Sequence, residues 1–490
     1  MYDEGRGAVS YPLEPDREQM AGLGQAAVEF VANFIGNLES APANGLRAGE
    51  SLDDLMMDAP QDSPSDFDVL LKTFGEAAGN AVETAGPRYA AYIPGGGLFT
   101  SALADFLARG VNRYTGLSGL APGLVAMEES VIRWACDQFR LPAAAGGLVT
   151  SGGSLSTLAA LVAARHHHLG EDFADGTLYI TAHTHHCVAK AARIAGFPGA
   201  RVRIVPVTDD LRLDVAAAAR MISADRALGL RPFFLVASAG TTDTGTVDPI
   251  TEIAQVTARE NLWLHVDGAY GGFFQFTERG RAALAGIDRA DSIVVDPHKS
   301  LFLPYGTGIL LVRDTGLLRG AYFGEGHGHY QQDAAGGQVL PDYSALGPEL
   351  TREFRGLRLW LPLHLHGVGA FRDALDEKLD LAAHAYADLA ADARLQLPWK
   401  PDLSTVVFGL AGGDDDANRR FLDRINASGK AFLSSTRIRG RIVLRLCILS
   451  HRIHHGHLEQ VLDVIHAAAR EVPDLSRAAE TCGAGGRRLG

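Results

Sequence analysis

The chain has 490 residues, with 45 lysines and arginines against 58 aspartates and glutamates, a formal net charge of −13. An acidic balance argues against nucleic acid and anionic membrane as partners, since both select basic surfaces. With 47% apolar and 21% charged residues the composition is that of an ordinary globular protein, with a prior of about three domains. The four cysteines, Cys136, Cys187, Cys447 and Cys482, are far apart and form no CxxC pair. That usage fits a reducing cytoplasm better than a zinc ribbon or a disulfide framework. The opening MYDEGRGAVSYPLEPDREQ holds no apolar signal core, and no apolar run reaches about 18 residues. Neither a secretory leader nor a membrane span is expected, and the location expected is cytoplasmic.

Along the chain, residues 17–38 place apolar side chains at helical spacing, and APQDSPS at 59–65 reads as a connector. Residues 1–88 are expected to form a helical segment that packs on another subunit. Between 147 and 313 short apolar, β-branched runs appear: TLYIT (177–181), VRIVPV (202–207), FFLVAS (233–238), LWLHV (262–266), IVVD (293–296) and GILLV (308–312). Helical stretches at 155–165, 187–195, 215–228 and 250–259 separate most of them. Alternating strands and helices predict parallel strands with crossover helices, and continuous apolar runs predict strands buried on both faces. From Trp360 the chain reads as helical to Arg394, followed by strands at 405–410 and 441–448 and a helix at 458–469. The expected organisation is a large α/β domain over 89–377 and a small C-terminal α+β domain over 378–490. Its Gly-rich tail from Thr481 is expected to be disordered.

Ligands of an open parallel sheet bind beyond the carboxyl ends of its strands. Those ends read AHTHHC, AGTTDTGTVDP, DGAYGG and DPHKS. Polar loops are ordinary, but two features exceed that background. Lys299 lies between the apolar stretches IVVDPH and SLFLPYGTG, where desolvation should lower its pKa and make it a nucleophile able to form a Schiff base. Asp267 ends an apolar strand, where an unpaired carboxylate would be costly. Pyridoxal 5'-phosphate (PLP) needs a lysine for its aldehyde, an acid at its pyridine nitrogen and donors for its phosphate. Lys299 and Asp267 suit the first two needs, and Ala269 is small enough to lie under the ring. Gly152, Gly153 and Ser154 precede a clear helix, whose N-terminus is an anion site by its free N–H groups and dipole. Ser154 reads equally well as a plain N-cap.

Together these residues resemble the group II PLP-dependent amino-acid decarboxylases, the aromatic-L-amino-acid decarboxylase-like family. The motifs are GPRYAAYIP (86–94), APGLVAMEE (121–129), TSGGSLSTLAAL (150–161), HTHHCVAKAARIAG (183–196), AGTTDTGTVDPI (239–250), HVDGAYGG (265–272), DPHKSLFLPYGTG (296–308) and FRGLRLWLPL (354–363). The resemblance implies a type I PLP-dependent fold of the aspartate-aminotransferase kind, α/β with a mostly parallel sheet. It implies that Lys299 binds the cofactor covalently, that His298 contacts the phosphate, that Asp267 salt-bridges the pyridine nitrogen and that His185 stacks opposite Ala269. Gly153, Ser154 and Thr242 would surround the cofactor. Thr351 would reach the partner subunit's phosphate in an obligate homodimer with active sites at its interface.

The resemblance also implies a mobile loop at about 324–341 whose Tyr330 protonates the substrate α-carbon, with His327 or His329 as alternatives and a plain surface tyrosine as the competing reading. The implied reaction is PLP-dependent α-decarboxylation of an L-amino acid, a carboxy-lyase chemistry. Alternatives are decarboxylation coupled to O2-dependent oxidative deamination, which gives an aldehyde, or another PLP lyase reaction. Tyr92, Pro94, Tyr114 and Leu117 would line the side-chain pocket, suggesting an aromatic or bulky substrate, while Arg113 could instead read an acidic group. DPHKS in place of the common NPHKW, and LPYGTG in place of a stretch that often contains Asp-Cys, point to an altered pocket. The histidine clusters at 166–168 and 451–457 read as surface or helix-end residues, and no metal is expected. No GxxxxGK[ST], convincing GxGxxG or strand-borne GxSxG occurs, which argues against nucleotide binding and serine hydrolysis.

Overall fold

The computed structural model describes residues 12–46, 59–323 and 340–471. Tyr330 and the glycine-rich tail lie outside them. A seven-stranded sheet organises the centre, with strands β1 (Gly146–Thr150), β2 (Gly176–Thr181), β3 (Val202–Val205), β4 (Arg231–Ser238), β5 (Trp263–Asp267), β6 (Ser292–Val295) and β7 (Gly308–Val312) in the order β1-β7-β6-β5-β4-β2-β3. β2, β3, β4, β5 and β6 pair in parallel, whereas β7 runs antiparallel to both β1 and β6. All strands except β7 therefore point the same way. Reading GILLV as one more parallel strand needs correction: only a four-residue helix and a short loop separate β6 from β7, too little chain for a crossover.

Double-sided burial explains the apolar runs. Along β4, Leu235 and Ala237 face one core with Val266, Ile293 and Leu311, while Phe234 and Val236 face the other with Leu178, Trp263 and Leu310. The edge strand β3 is half exposed, with Ile204 facing out and Val205 buried.

The four-stranded second sheet comprises β8 (Leu395–Gln396), β9 (Thr405–Leu410), β10 (Ser434–Ile438) and β11 (Arg441–Cys447), in the order β10-β11-β9-β8. Helices Asp415–Ala427 and His455–Glu471 pack on it. The long helix Leu357–Ala390, broken at Gly367 (φ 74°), ties the two sheets together. Its Phe371, Leu375 and Leu379 enter the first core and its Leu381, Ala382 and Ala385 the second, so no loop marks the passage.

Candidate active site

Five strands deliver side chains to one cleft. β1 feeds through Ser151 and Gly152 into the helix Gly153–Leu169, which crosses β7, β6, β5 and β4. Gly152 is the N-cap, with φ 151°, a backbone state that L side chains rarely adopt, and no side chain caps this helix. Ser154 is thus in the first turn rather than a cap, and the helix start is left to face an anion. β2 leads to His185, β4 to Thr241 and Thr242, β5 ends in Asp267, and β6 is followed by Asp296 and the short helix Pro297–Ser300 carrying His298 and Lys299.

These residues line a cavity of about 500 Å3. Among the sequence-predicted site residues it collects Lys299, His185, Asp267, Ala269, His298, Gly153, Ser154, Thr242 and Tyr92. It also holds Tyr89, Ile93, Tyr305 and Asp296, which residue-level reading left without a role. Pro94 is buried beside the cleft without lining it, Leu117 is buried elsewhere, and Tyr114 donates to the Leu350 carbonyl at 2.7 Å. Thr351 is exposed and away from the cavity of its own chain. Arg113 is exposed and bonds the Val111 carbonyl.

Lys299 Nζ lies 2.9 Å from Asp296 Oδ2. Burial alone would lower the lysine's pKa, but the carboxylates of Asp296 and, next, Asp267 outweigh it, so the amine is held above its ordinary range. The expectation of a depressed lysine is corrected by that neighbour. His185 behaves oppositely. Burial drives its imidazole down, with Asp267 opposing, and its Nδ1 accepts from the Cys187 N–H at 3.3 Å. A neutral, apolar ring face results. Burial also pushes the adjacent Cys187 thiol up to about 12, leaving it inert. Asp267 is 9% exposed and its Oδ1 accepts from the Ala269 N–H at 3.1 Å. His298 Nδ1 bonds the Thr307 carbonyl at 2.7 Å, which orients the ring.

Some of the histidines outside the cleft have local roles, while His384 and His455 gather with Glu459 on the surface. His166 and His167 are exposed in the last turn of their helix, where the dipole favours cationic side chains, whereas burial drives His168 down to about 4. His454 and His457 pair with Glu377 and Glu39.

These residues fit a flat, cationic-ring cofactor with a phosphate. The floor is glycine, since a Cβ on Gly153 would approach Asp296 Oδ2 to 3.1 Å and the Ala269 Cβ to 3.4 Å. One amine and two carboxylates face the same space. The fold and cleft define a type I PLP enzyme.

Comparison with known proteins places the chain within that class. Residues 50–411 match the pyridoxal-dependent decarboxylase conserved domain, and the chain belongs to this family. It is 32% identical to the aromatic-L-amino-acid decarboxylase of Bacillus atrophaeus over 475 residues, covering 95% of this chain and 98% of that protein. It is 26% identical to the phenylacetaldehyde synthase of Arabidopsis thaliana over 490 residues, covering 95% and 99%. The crystal structure of Oryza sativa TDC with PLP and tryptamine superposes with a TM-score of 0.89 at 27% identity, covering 95% of this chain and all of that one. The cofactor is PLP and the chemistry is that of a PLP-dependent carboxy-lyase acting on an amino acid.

Proposed function

We propose that this protein decarboxylates an aromatic L-amino acid to its amine and carbon dioxide. The observation that carries the reading is that the Lys299 amine and the Asp267 carboxylate face one cavity whose lining also includes Tyr89, Tyr92, Ile93 and Tyr305. Those side chains offer an apolar, ring-bearing wall to a flat substrate. PLP, when bound, serves as the electron sink for the bond between Cα and the carboxylate.

Each step otherwise rests on side chains of this protein. Lys299 would supply the amine that holds the cofactor covalently. Asp267 keeps a proton on the pyridine nitrogen. His185, neutral and half-buried, covers one ring face while Ala269 covers the other. Gly153, Ser154 and His298 hold the phosphate at the helix start, with Thr242 beside them. Tyr330 returns a proton to Cα. Tyr89, Tyr92 and Tyr305 would orient the substrate side chain in the cavity.

A homodimer belongs to the same proposal. Helix Arg17–Asn37 has no buried residue and exposes Met20, Leu23 and Val28. Helix Phe67–Gly79 likewise buries none and exposes Val69, Leu70 and Phe74. A second copy would cover these apolar faces and bring Thr351 and Tyr114 toward the neighbouring cleft, while Leu117, buried in its own chain, would only support that surface. The segments 1–88, 89–377 and 378–490 would then act as dimer arm, cofactor domain and small domain of a cytoplasmic enzyme.

The test is turnover of tryptophan, tyrosine and phenylalanine, scored for carbon dioxide, amine, aldehyde, ammonia and peroxide. Amine with carbon dioxide is expected, and Lys299→Ala should abolish both turnover and visible cofactor absorption. Aldehyde, ammonia and peroxide in place of amine would select the oxidative reading. No turnover of any aromatic substrate would overturn the specificity.

A further inference from the structure

Asp296 has no part in the reaction as written above, yet it is placed at the centre of the cleft floor. Its side chain is 3% exposed. Oδ2 accepts from Lys299 Nζ at 2.9 Å and lies 3.7 Å from His298 Nε2. Oδ1 is buried and meets no hydrogen-bond donor among the described residues. Two glycines wall the group in: a Cβ on Gly153 would sit 3.1 Å from Oδ2, and one on Gly308 would sit 2.9 Å from Oδ1.

A buried carboxylate with one oxygen that meets no protein donor is costly unless a cation is held against it. Lys299 is the cation the geometry supplies. We propose that Asp296 is a positioning residue for Lys299: in the cofactor-free enzyme it pins the amine as an ammonium on the glycine floor, so that cofactor capture must break this ion pair and release a proton. The raised proton affinity of Lys299, opposed by burial, comes first from Asp296 and next from Asp267, with Cys187 and His185 also facing the amine. Capture joins Nζ to the aldehyde carbon and expels one water. Only the neutral amine attacks, so the ammonium first gives a proton to solvent. An asparagine at this position, as in the NPHKW form of the motif, carries no charge with which to hold the ammonium. The inference rests on the PLP reading of the cleft.

Apoenzyme prepared from the full-length holoenzyme with hydroxylamine is labelled with trace acetic anhydride from neutral to alkaline pH. Lys299 is read by mass spectrometry against added Nα-acetyl-lysine. In the parent, the pH midpoint of Lys299 should lie above that of the standard. Asp296→Asn should move it down and speed labelling at neutral pH by about tenfold or more, because each pKa unit lost gives tenfold more neutral amine. Capture of pyridoxal, which lacks the phosphate, followed by visible absorption, should gain by the same factor.

An unchanged midpoint in Asp296→Asn overturns the proposal. So does a gain seen with PLP but not pyridoxal, which would place the effect of Asp296 on the phosphate. Should Asp296→Asn fail to fold by circular dichroism, the parent decides alone, and a Lys299 midpoint at or below the standard overturns the idea. Failure of the cofactor reading itself is separate, and would show as parent enzyme without visible absorption.

Discussion

Alanine at Gly308 tests whether backbone contact shapes the cofactor floor. The added Cβ would lie 2.5 Å from Gly152 Cα, 2.7 Å from the Gly152 carbonyl carbon and 2.9 Å from Asp296 Oδ1. Carbon atoms in contact normally stay about 3.5–4.0 Å apart, so β7 and the Gly152 turn must part by about 1 Å. No side-chain rotation relieves the first two contacts, and the Thr150–Gly308 pairing between β1 and β7 fixes the approach. Overpacking of this kind costs about 1–3 kcal/mol of stability. Function should suffer more, because the displaced turn leads into the helix start proposed above to hold the phosphate. Losing one hydrogen bond to a charged group costs about 1.5–3 kcal/mol, or about 10- to 150-fold in affinity. PLP titration of the apoenzyme by visible absorption measures this, with Gly123→Ala as control, since its Cβ would meet nothing within 4 Å. A folded Gly308→Ala protein with the parent's PLP affinity would refute the account.

Asp267→Asn should lower the decarboxylation rate by about 100-fold and loosen PLP, since a charge-assisted contact becomes a neutral one; steady-state rates and cofactor retention on dialysis check it. Glu128 and Arg352 form a 2.6 Å ion pair with side chains 0% and 1% exposed. Glu128→Gln leaves the guanidinium uncompensated and should cost about 3–5 kcal/mol, read as a lower urea midpoint. His265 is wholly buried in β5, and burial drives it down to about 4 from 6.5. The folded protein keeps it neutral while the unfolded chain takes up a proton, so its contribution is intact above pH 6.5 and is lost as pH falls toward about 4. His265→Phe, beside Phe234 at 5.4 Å, should flatten that loss in urea midpoints measured across this range.

Most of the sheet was legible because burial on both faces writes itself as unbroken apolar runs, and 308–312 and 405–410 match their strands residue for residue. Three strands carried no such signal, the two-residue β8 among them. β1 begins with two glycines, and β10, SSTRI, is polar and half exposed, so neither reads as an apolar run. The direction of β7 was hidden because direction lies in the connection rather than in the strand. At the site, Lys299, Asp267 and the glycine turn were legible from residue type and strand-end position. Tyr89 was not, because it reaches the cleft through a bridge to Phe432, 343 residues later, which no local periodicity encodes. The sign of the Lys299 shift was missed for a related reason. Asp296 stood in the motif as a departure, and only the 2.9 Å contact converts that departure into charge.

The parallel pairing of β5 with β6 also sets the electrostatics of the cleft. Asp267 is the last residue of β5 and pairs with Val294, while Asp296 stands two residues further along the neighbouring strand's path. One pair of strands therefore delivers two carboxylates to one edge of the sheet, and the following turn delivers one amine between them. The trio of Asp267, Asp296 and Lys299 sets two carboxyl groups against one amine in a buried place. Such a site favours a ligand that brings a cationic ring nitrogen, and the uncapped helix start at Gly153 favours one that also brings an anion at its other end. A ligand with both ends opposite in charge to what each wall presents is what the cleft selects. That separation of charge, fixed by strand register, is what the proposed roles of Asp267 and the helix start at Gly153 rest on.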